Sequence, residues 1–380
     1  MNVILEIIKF IFVLSFLVII HELGHFLVAK FFKVKVEEFG LGYPPRAVKL
    51  FTWLGTPFTL NWFPFGGFVK LEGEDGQADQ KEKIDHNPKH IGPFYDKSAR
   101  VRLLIILAGA SVNFIFGVLA FSLYFSFLGI PNLSDNARIS SISQGSPAEK
   151  AHIPTNVDIT AVITGDKRTA VSSVAEATSA LSQHLGEDVI VVTTGQCDGD
   201  TCNPQEQKFS AHIRTKAETP ANQGSLGIAF ASLVVQKFYP WYEMPFRGAY
   251  YGTKQAFMLS YLIVTSLGQI VGNLFHGHVP QEVAGPVGIF KQASQAGFFS
   301  HGVLELINFA GLLSVNLAVM NVLPIPALDG GRALFIILEK IIGKKRVQLF
   351  EGYANYGGFA LLMIMIVLIT LKDIVGIFQH

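Results

Sequence analysis

Four stretches of this chain are too long and too apolar to be ordinary soluble structure, and they restrict the fold before any other feature is read. A helix needs about 20 predominantly apolar residues to cross a bilayer. Residues 3–29, densest over 10–20, meet that length, as do 103–130. A third stretch, 303–338, is interrupted by Pro324 and Pro326, and a fourth, 359–371, lies close to the C-terminus. Composition agrees: of 380 residues 50% are hydrophobic and 16% charged, against about 25% charged in soluble domains. The first stretch lacks the charged n-region and small-residue cleavage site of a signal peptide, so it is expected to stay as a span. Residues 257–275 are apolar but dotted with Ser260, Thr265, Ser266, Gln269 and Asn273. They are expected to form a helix at the membrane face or beside the bundle, not a fifth span.

The 30 Lys+Arg and 29 Asp+Glu nearly cancel, so no global basic field exists to collect nucleic acid, and that partner class is excluded. Local charge sets orientation instead. Lys30, Lys33, Lys35, Arg46, Lys49, Lys89, Lys97, Arg100 and Arg102 lie between the first two spans, and Lys340, Lys344, Lys345 and Arg346 between the last two. The other flanks hold fewer, such as Arg138, Lys150 and Lys291. Both basic loops are therefore expected in the cytoplasm, with the N-terminus, the C-terminus and residues 131–239 outside. Four regions follow: 1–130 and 303–380 as two parts of a membrane core, 131–239 as a soluble domain, and 240–302 as a membrane-associated helical segment.

Residues 131–239 show short β-rich runs at 138–143, 158–164, 188–194, 209–213 and 226–230, with a helical stretch at 174–185. This is a small barrel-like α+β pattern with hydrophilic turns. Cys197 and Cys202 lack metal-ligand spacing. In an oxidising compartment they would clip the tip of a hairpin over 195–203; the alternative is two free thiols on a loop.

The chemistry is concentrated in His21-Glu22-Leu23-Gly24-His25. Histidines at i and i+4 share one helix face and can reach one metal ion. Glu22 stands where a general base can reach an activated water. Three ionisable side chains within five residues of an apolar helix are expensive unless they have a function. A third ligand is expected from another span, and the candidate is Asp329 in Asn321-Val-Leu-Pro-Ile-Pro-Ala-Leu-Asp329-Gly-Gly. Pro324 and Pro326 must break that helix, and broken backbone in a bilayer is tolerated only where protein or a wet cavity satisfies it. Taken alone, the segment could be a simple kink with Asp329 capping the next helix.

These motifs carry a resemblance. HELGH, Gly109-x-x-x-Asn113-Phe114, Pro64-Phe-Gly-Gly-Phe-Val69, Gly285-Pro-Val-Gly-Ile289 and NVLPIPALDGG occur in this order over most of the chain. The chain thereby resembles the bacterial site-2 protease family, intramembrane zinc metalloproteases of the regulator of sigma-E protease type. The resemblance implies a polytopic α-helical membrane protein of about four spans with one Zn2+ held by His21, His25 and Asp329, and Glu22 as base. It implies that Asn113 and Asn321 position substrate; the alternative for both is interhelical hydrogen bonding. It implies that the loop with Gly66 and Gly67 is a re-entrant β-hairpin offering a strand edge to an unwound substrate; an ordinary cytoplasmic hairpin is the alternative. Residues 131–239 resemble one PDZ module through Ser146-Pro-Ala-Glu-Lys-Ala151 and Ser225-Leu-Gly-Ile228. They depart from it at His152 and Val157, where glycines are usual, which puts peptide-end binding in doubt.

The implied partners are single-span membrane substrates such as anti-sigma factors and remnant signal peptides, in a bacterial cytoplasmic (inner) membrane. The rivals are a catalytically silent scaffold, which zinc content would expose, and a metal transporter, which has no need of Glu22. The pair His276 and His278 is read as solvated, with metal binding at one face of a strand as the alternative, and His86, His90, His152, His184, His212, His301 and His380 show no ligand spacing.

Overall fold

A computed structural model describes residues 3–74, 92–198, 201–220, 222–231, 234–276 and 284–378. The chain divides into two compact units, Met1–Leu128 with Pro240–His380, and Gly129–Tyr239.

In chain order, the first unit opens with α1 (Val3–Phe31), β1 (Val36–Trp53), β2 (Thr56–Leu71) and α2 (Ala99–Leu128). The second unit then holds β3 (Ile130–Leu133), β4 (Ile139–Ile142), α3 (Pro147–Lys150), β5 (Ile159–Thr164), β6 (Lys167–Ala170), α4 (Val174–Ser182), β7 (Asp188–Thr193), β8 (Cys197–Asp198), β9 (Thr201–Cys202), β10 (Gln207–His212), β11 (Ile228–Phe230) and β12 (Val234–Lys237). The chain returns to the first unit with α5 (Met244–Phe275), α6 (Pro286–Gln295), α7 (Val303–Val322), α8 (Asp329–Ile342) and α9 (Lys344–Phe378).

Four helical stretches are long and apolar enough to cross a membrane: α1, α2, α7 and Phe350–Val375 of α9. Ile8, Phe12, Leu119, Leu361, Ile364 and Leu368 stand exposed along them, as helices bounded by lipid require. The third apolar stretch is broken at its prolines, as its sequence requires. Helix α7 stops at Val322, and α8 begins anew at Asp329, because Pro324 and Pro326 cannot donate to a helix and force the residues before them to extend. The polar-dotted stretch 257–275 belongs to a longer helix, α5, packed along α2 and α7.

Buried positions of α1 recur at helical spacing: Phe10, Val13, Leu17, His21 and Gly24. The N-terminal part of that stripe packs with Ala293, Phe299, Phe309 and Ala310. Helix α6 starts at Pro286 without a side-chain cap of its own. Asp373 of α9 supplies one, accepting from the amides of Gly285 and Gly288 at 2.9 and 2.8 Å, which satisfies two orphan donors of the first turn.

Strands β1 and β2 make more than the single hairpin expected at Gly66 and Gly67. Phe39, Gly40 and Leu41 partner Phe58, Thr59 and Leu60 on one side and Val69, Phe68 and Gly67 on the other. The first part of β1 thus lies between the two halves of β2. Thr56 and Asn61 secure the centre, donating to the carbonyls of Val36 and Gly42 at 3.0 and 2.9 Å.

In the second unit, β10-β7-β5-β6 form an antiparallel sheet over a core of Ile139, Val157, Ile159, Val162, Leu181, Val191, Ile213 and Leu226. The barrel-like pattern does not close. β4 pairs with β11 and β3 with β12 as separate ribbons, and a bridge between Arg138 and Asp158 links β4 to β5. Ser146 caps α3, accepting from the amide of Glu149 at 3.2 Å, and Ser173 caps α4 in the same way through Glu176. His152 sits at a φ of 54°, so the left-handed backbone that favours glycine persists although the glycine does not. Cys197 and Cys202 are joined by a disulfide across β8 and β9.

Candidate metal centre

The buried stripe of α1 carries His21 inward, and His25 follows one turn later. Close approach of α2 makes the site narrow. A Cβ at Gly24 would lie 2.7 Å from the Ala108 carbonyl oxygen, and one at Gly109 would lie 2.7 and 2.8 Å from His21 Cε1 and Nε2. Any side chain at Gly109 would fill the space the two imidazoles occupy.

Asp329 arrives from the far end of the sequence. It opens the first turn of α8, where a carboxylate is favoured by the unpaired amides of the helix N-terminus. The loop before it is held by α9: Asn355 Oδ1 accepts from the Ala327 amide at 3.1 Å. A Cβ at Gly358 would lie 2.7 Å from Pro326, so α9 packs directly on that proline. Ala327 itself takes a φ of 73°, a strained value for a residue with a side chain.

Three donor atoms converge. His21 Nε2 lies 3.1 Å and His25 Nε2 3.3 Å from Asp329 Oδ2, and the two Nε2 atoms are 3.2 Å apart. The side chains are 11%, 12% and 18% exposed. Although both imidazoles approach Asp329 Oδ2, that oxygen is buried and receives no well-directed hydrogen bond among the described residues. A neutral imidazole has one N–H and one lone pair. His25 donates its Nδ1–H to the Ile105 carbonyl at 2.8 Å, so its Nε2 turns a lone pair toward the centre. Among the three atoms there is room for one ring proton at most, that of His21 Nε2; the lone pairs left over are costly to bury and are the donor set a divalent cation requires. Two imidazoles and a carboxylate are a three-ligand set of the catalytic zinc type, and the residues present fit that ion.

Around this centre, Glu22 is half-buried on α1, and a Cβ at Gly67 would lie 3.3 Å from Glu22 Cγ and from Val18 Cγ1. The β1–β2 sheet therefore reaches the helix at the glutamate. Gly66 has a φ of 78°, and the Tyr43 ring lies 2.6 Å from where its Cβ would be. Asn113 is fully buried against His21, and Asn321 is half-buried in the last turn of α7. His276 turns back on its own helix, donating to the Gly272 carbonyl at 2.8 Å; His278, His86, His90 and His380 lie outside the described residues. Sequence reasoning had no signal for Asn355 and Gly358. For Gly109 the signal was its four-residue spacing from Asn113, which puts both on the face of α2 that meets the histidines.

Residues 9–365 match peptidase family M50. A Clostridium acetobutylicum protein named as a zinc metalloprotease is 30% identical over 374 residues, covering 98% of this chain and 97% of that protein. One of the same description from Clostridium perfringens is 30% identical over 367 residues, covering 95% and 96%. Zinc metalloprotease RasP of Oceanobacillus iheyensis is 26% identical over 447 aligned positions, covering 98% and 99%. Similarity that runs nearly end to end, through both histidines and the distant aspartate, places this chain in peptidase family M50, as a zinc metalloprotease that spans the membrane several times.

Proposed function

We propose that the protein is an intramembrane endopeptidase that cuts single-span membrane proteins, with one zinc held by His21, His25 and Asp329 and with Glu22 as general base. The observation that carries this reading is the convergence of three donor atoms on a buried point at the end of an apolar helix. Zinc supplies Lewis-acid chemistry, polarising a carbonyl and making water more acidic. Glu22 takes the proton of the attacking water on its carboxylate and delivers it to the departing amide nitrogen. Burial of the centre keeps bulk water away, so hydrolysis is confined to a chain drawn into the site.

A helix shields its amides, so the substrate must be extended before it is cut. The β1–β2 sheet supports such a step. Its segment around Gly67 lies beside Glu22, and that half of β2 pairs with β1 on one side and with no further strand among the described residues, an edge of the kind to which a substrate strand adds. Tyr43, Val48, Leu50, Phe51, Leu60 and Trp62 are exposed on this sheet. An apolar surface of that extent suits a hairpin re-entering the membrane. Asn321 is assigned to the extended substrate. Anti-sigma factors already cut outside and remnant signal peptides are the proposed substrates.

The protein is placed in the bacterial inner membrane, N-out and C-out. Residues 129–239 form a PDZ-like domain outside that admits trimmed substrates, and the product leaves toward the cytoplasm, because the metal centre lies at that end of α1. The test is cleavage of a tagged panel of single-span substrates by wild type and Glu22→Gln in detergent. Wild type should cut inside the membrane segment, and Glu22→Gln should lose on the order of 10³-fold in rate while keeping zinc. Equal cutting by both would remove Glu22 from the mechanism. Absence of zinc from the wild type would leave the scaffold reading.

A further inference from the structure

Both histidines turn one nitrogen toward the centre, and α2 meets the other nitrogen of each. Ile105, Gly109 and Asn113 recur every four residues and form one stripe along α2. At the lower end the Ile105 carbonyl can only accept, so His25 is fixed with its proton on Nδ1. Gly109, in the middle, keeps the space open. At the upper end the partner is a carboxamide, which can either donate or accept.

Asn113 Nδ2 lies 3.3 Å from His21 Nδ1. Asn113 Oδ1 is buried and has no hydrogen-bond partner among the described residues. With Nδ2 turned to it, His21 Nδ1 must accept, and the ring proton sits on Nε2. That atom faces His25 and Asp329, where a proton blocks ligation. A half-turn of the amide exchanges oxygen and nitrogen with almost no change of shape. Oδ1 then accepts from Nδ1–H, and Nε2 presents a lone pair. The rotation leaves Nδ2 as the spare group in place of Oδ1, so the orientation is decided by whether a cation uses the Nε2 lone pair.

We propose that Asn113 is a positioning residue for the metal: its Oδ1 accepts from His21 Nδ1–H and selects the tautomer that can ligate. This role rests on His21 being a ligand, as proposed above, and differs from contact with substrate. Asn113 is 0% exposed and acts from behind the imidazole. Its own backbone is fixed, since Ser314 Oγ of α7 donates to the Asn113 carbonyl at 2.8 Å. The pattern is that of outer-shell partners of metal-bound imidazoles, which set ring orientation and tautomer.

The experiment compares wild type, Asn113→Leu and Asn113→Asp as full-length protein in detergent. Zinc affinity is read by chelator competition, the cobalt-substituted absorption spectrum by titration, and thermal melting in EDTA as the control for folding. Leu is close to Asn in size and has no polar group, whereas Asp can only accept. Asn113→Leu should bind zinc about 10–100-fold more weakly with its melting unchanged, and Asn113→Asp should bind within a few-fold of wild type. Wild-type affinity in Asn113→Leu would overturn the proposal. So would Asn113→Asp binding as weakly as Asn113→Leu, or melting lowered together with affinity in both variants, which marks a packing role. A wild type without zinc would instead overturn the ligand reading on which this one rests.

Discussion

Among the described residues, each unit of the chain holds one cluster of carboxylate and nitrogen or sulfur groups close enough to hold a metal, and the two are bonded in opposite ways. In the unit over 129–239, Asp158, Cys197 and Cys202 lie within 4.8 Å of one another. The sulfurs are used by the disulfide. Arg138 Nε and Nη2 donate to the two oxygens of Asp158 at 2.7 and 3.2 Å, and Asn136 adds a third hydrogen bond at 3.2 Å. Nothing is left for a cation. In the membrane unit, the inner atoms of His21, His25 and Asp329 lie as close together, yet Asp329 Oδ2 has no hydrogen-bond partner among the described residues and at most the one N–H of His21 is shared among the three. Proximity of ligand-type residues therefore does not separate the two clusters. The difference lies in whether the donors within the protein are already matched.

This contrast gives outcomes that differ in kind. The largest expected effect on stability is at the closed cluster. Asp158→Ala removes the carboxylate that balances the buried Arg138 charge and should destabilise that unit by about 3–5 kcal/mol, read by hydrogen exchange of strands β5 and β7 in the full-length protein. A loss under about 1 kcal/mol would mean that Arg138 finds other partners.

The open cluster should respond in metal content and not in fold. Asp329→Asn replaces an anionic ligand by a neutral one and is expected to weaken zinc binding at least about 100-fold, or about 2.7 kcal/mol, with melting in EDTA held or raised, because one buried charge is removed. Unchanged zinc content would reassign the third ligand. A drop in metal-free stability would make Asp329 a structural group like Asp158.

The smallest effect is assigned to the disulfide, which closes a short loop. Reduction should cost at most about 2 kcal/mol by loop-closure entropy, seen as faster exchange over residues 195–203 while the rest of the unit holds. Global unfolding on reduction would show that the clip supports the Arg138–Asp158 pair as well.

Legibility in the sequence follows how local each feature is. The two histidines and Glu22 are one helical turn apart, so spacing alone brought them together. The α4 helix and strands β5, β7 and β10 carry local periodicity, and their expected ranges match closely. Strand β1 carried no such signal: Pro44, Pro45, Arg46 and Lys49 disrupt its alternation, and it is stabilised by the two halves of β2 on either side. Strands β3 and β12 were missed for a related reason, since each is short and its partner lies about 100 residues away. The start of α5 at Met244 also depends on packing, whereas the break between α7 and α8 is written locally in Pro324 and Pro326. The capping of α6 by Asp373 has no local signature whatever.

Residue types and their order determined by themselves that the chain enters a membrane, where its spans lie and which turn of α1 carries the chemistry. Those conclusions need only hydropathy and helical period, which act over a few residues. The resemblance already named Asp329 from the sequence, while tertiary structure alone decided how closely it meets two histidines some 300 positions earlier, that Gly109 leaves them room, that Asn355 holds the loop behind the aspartate, and that Asn113 stands at His21. Each of these depends on which helix faces meet, and that is settled by close packing of distant surfaces, which no spacing along one segment encodes.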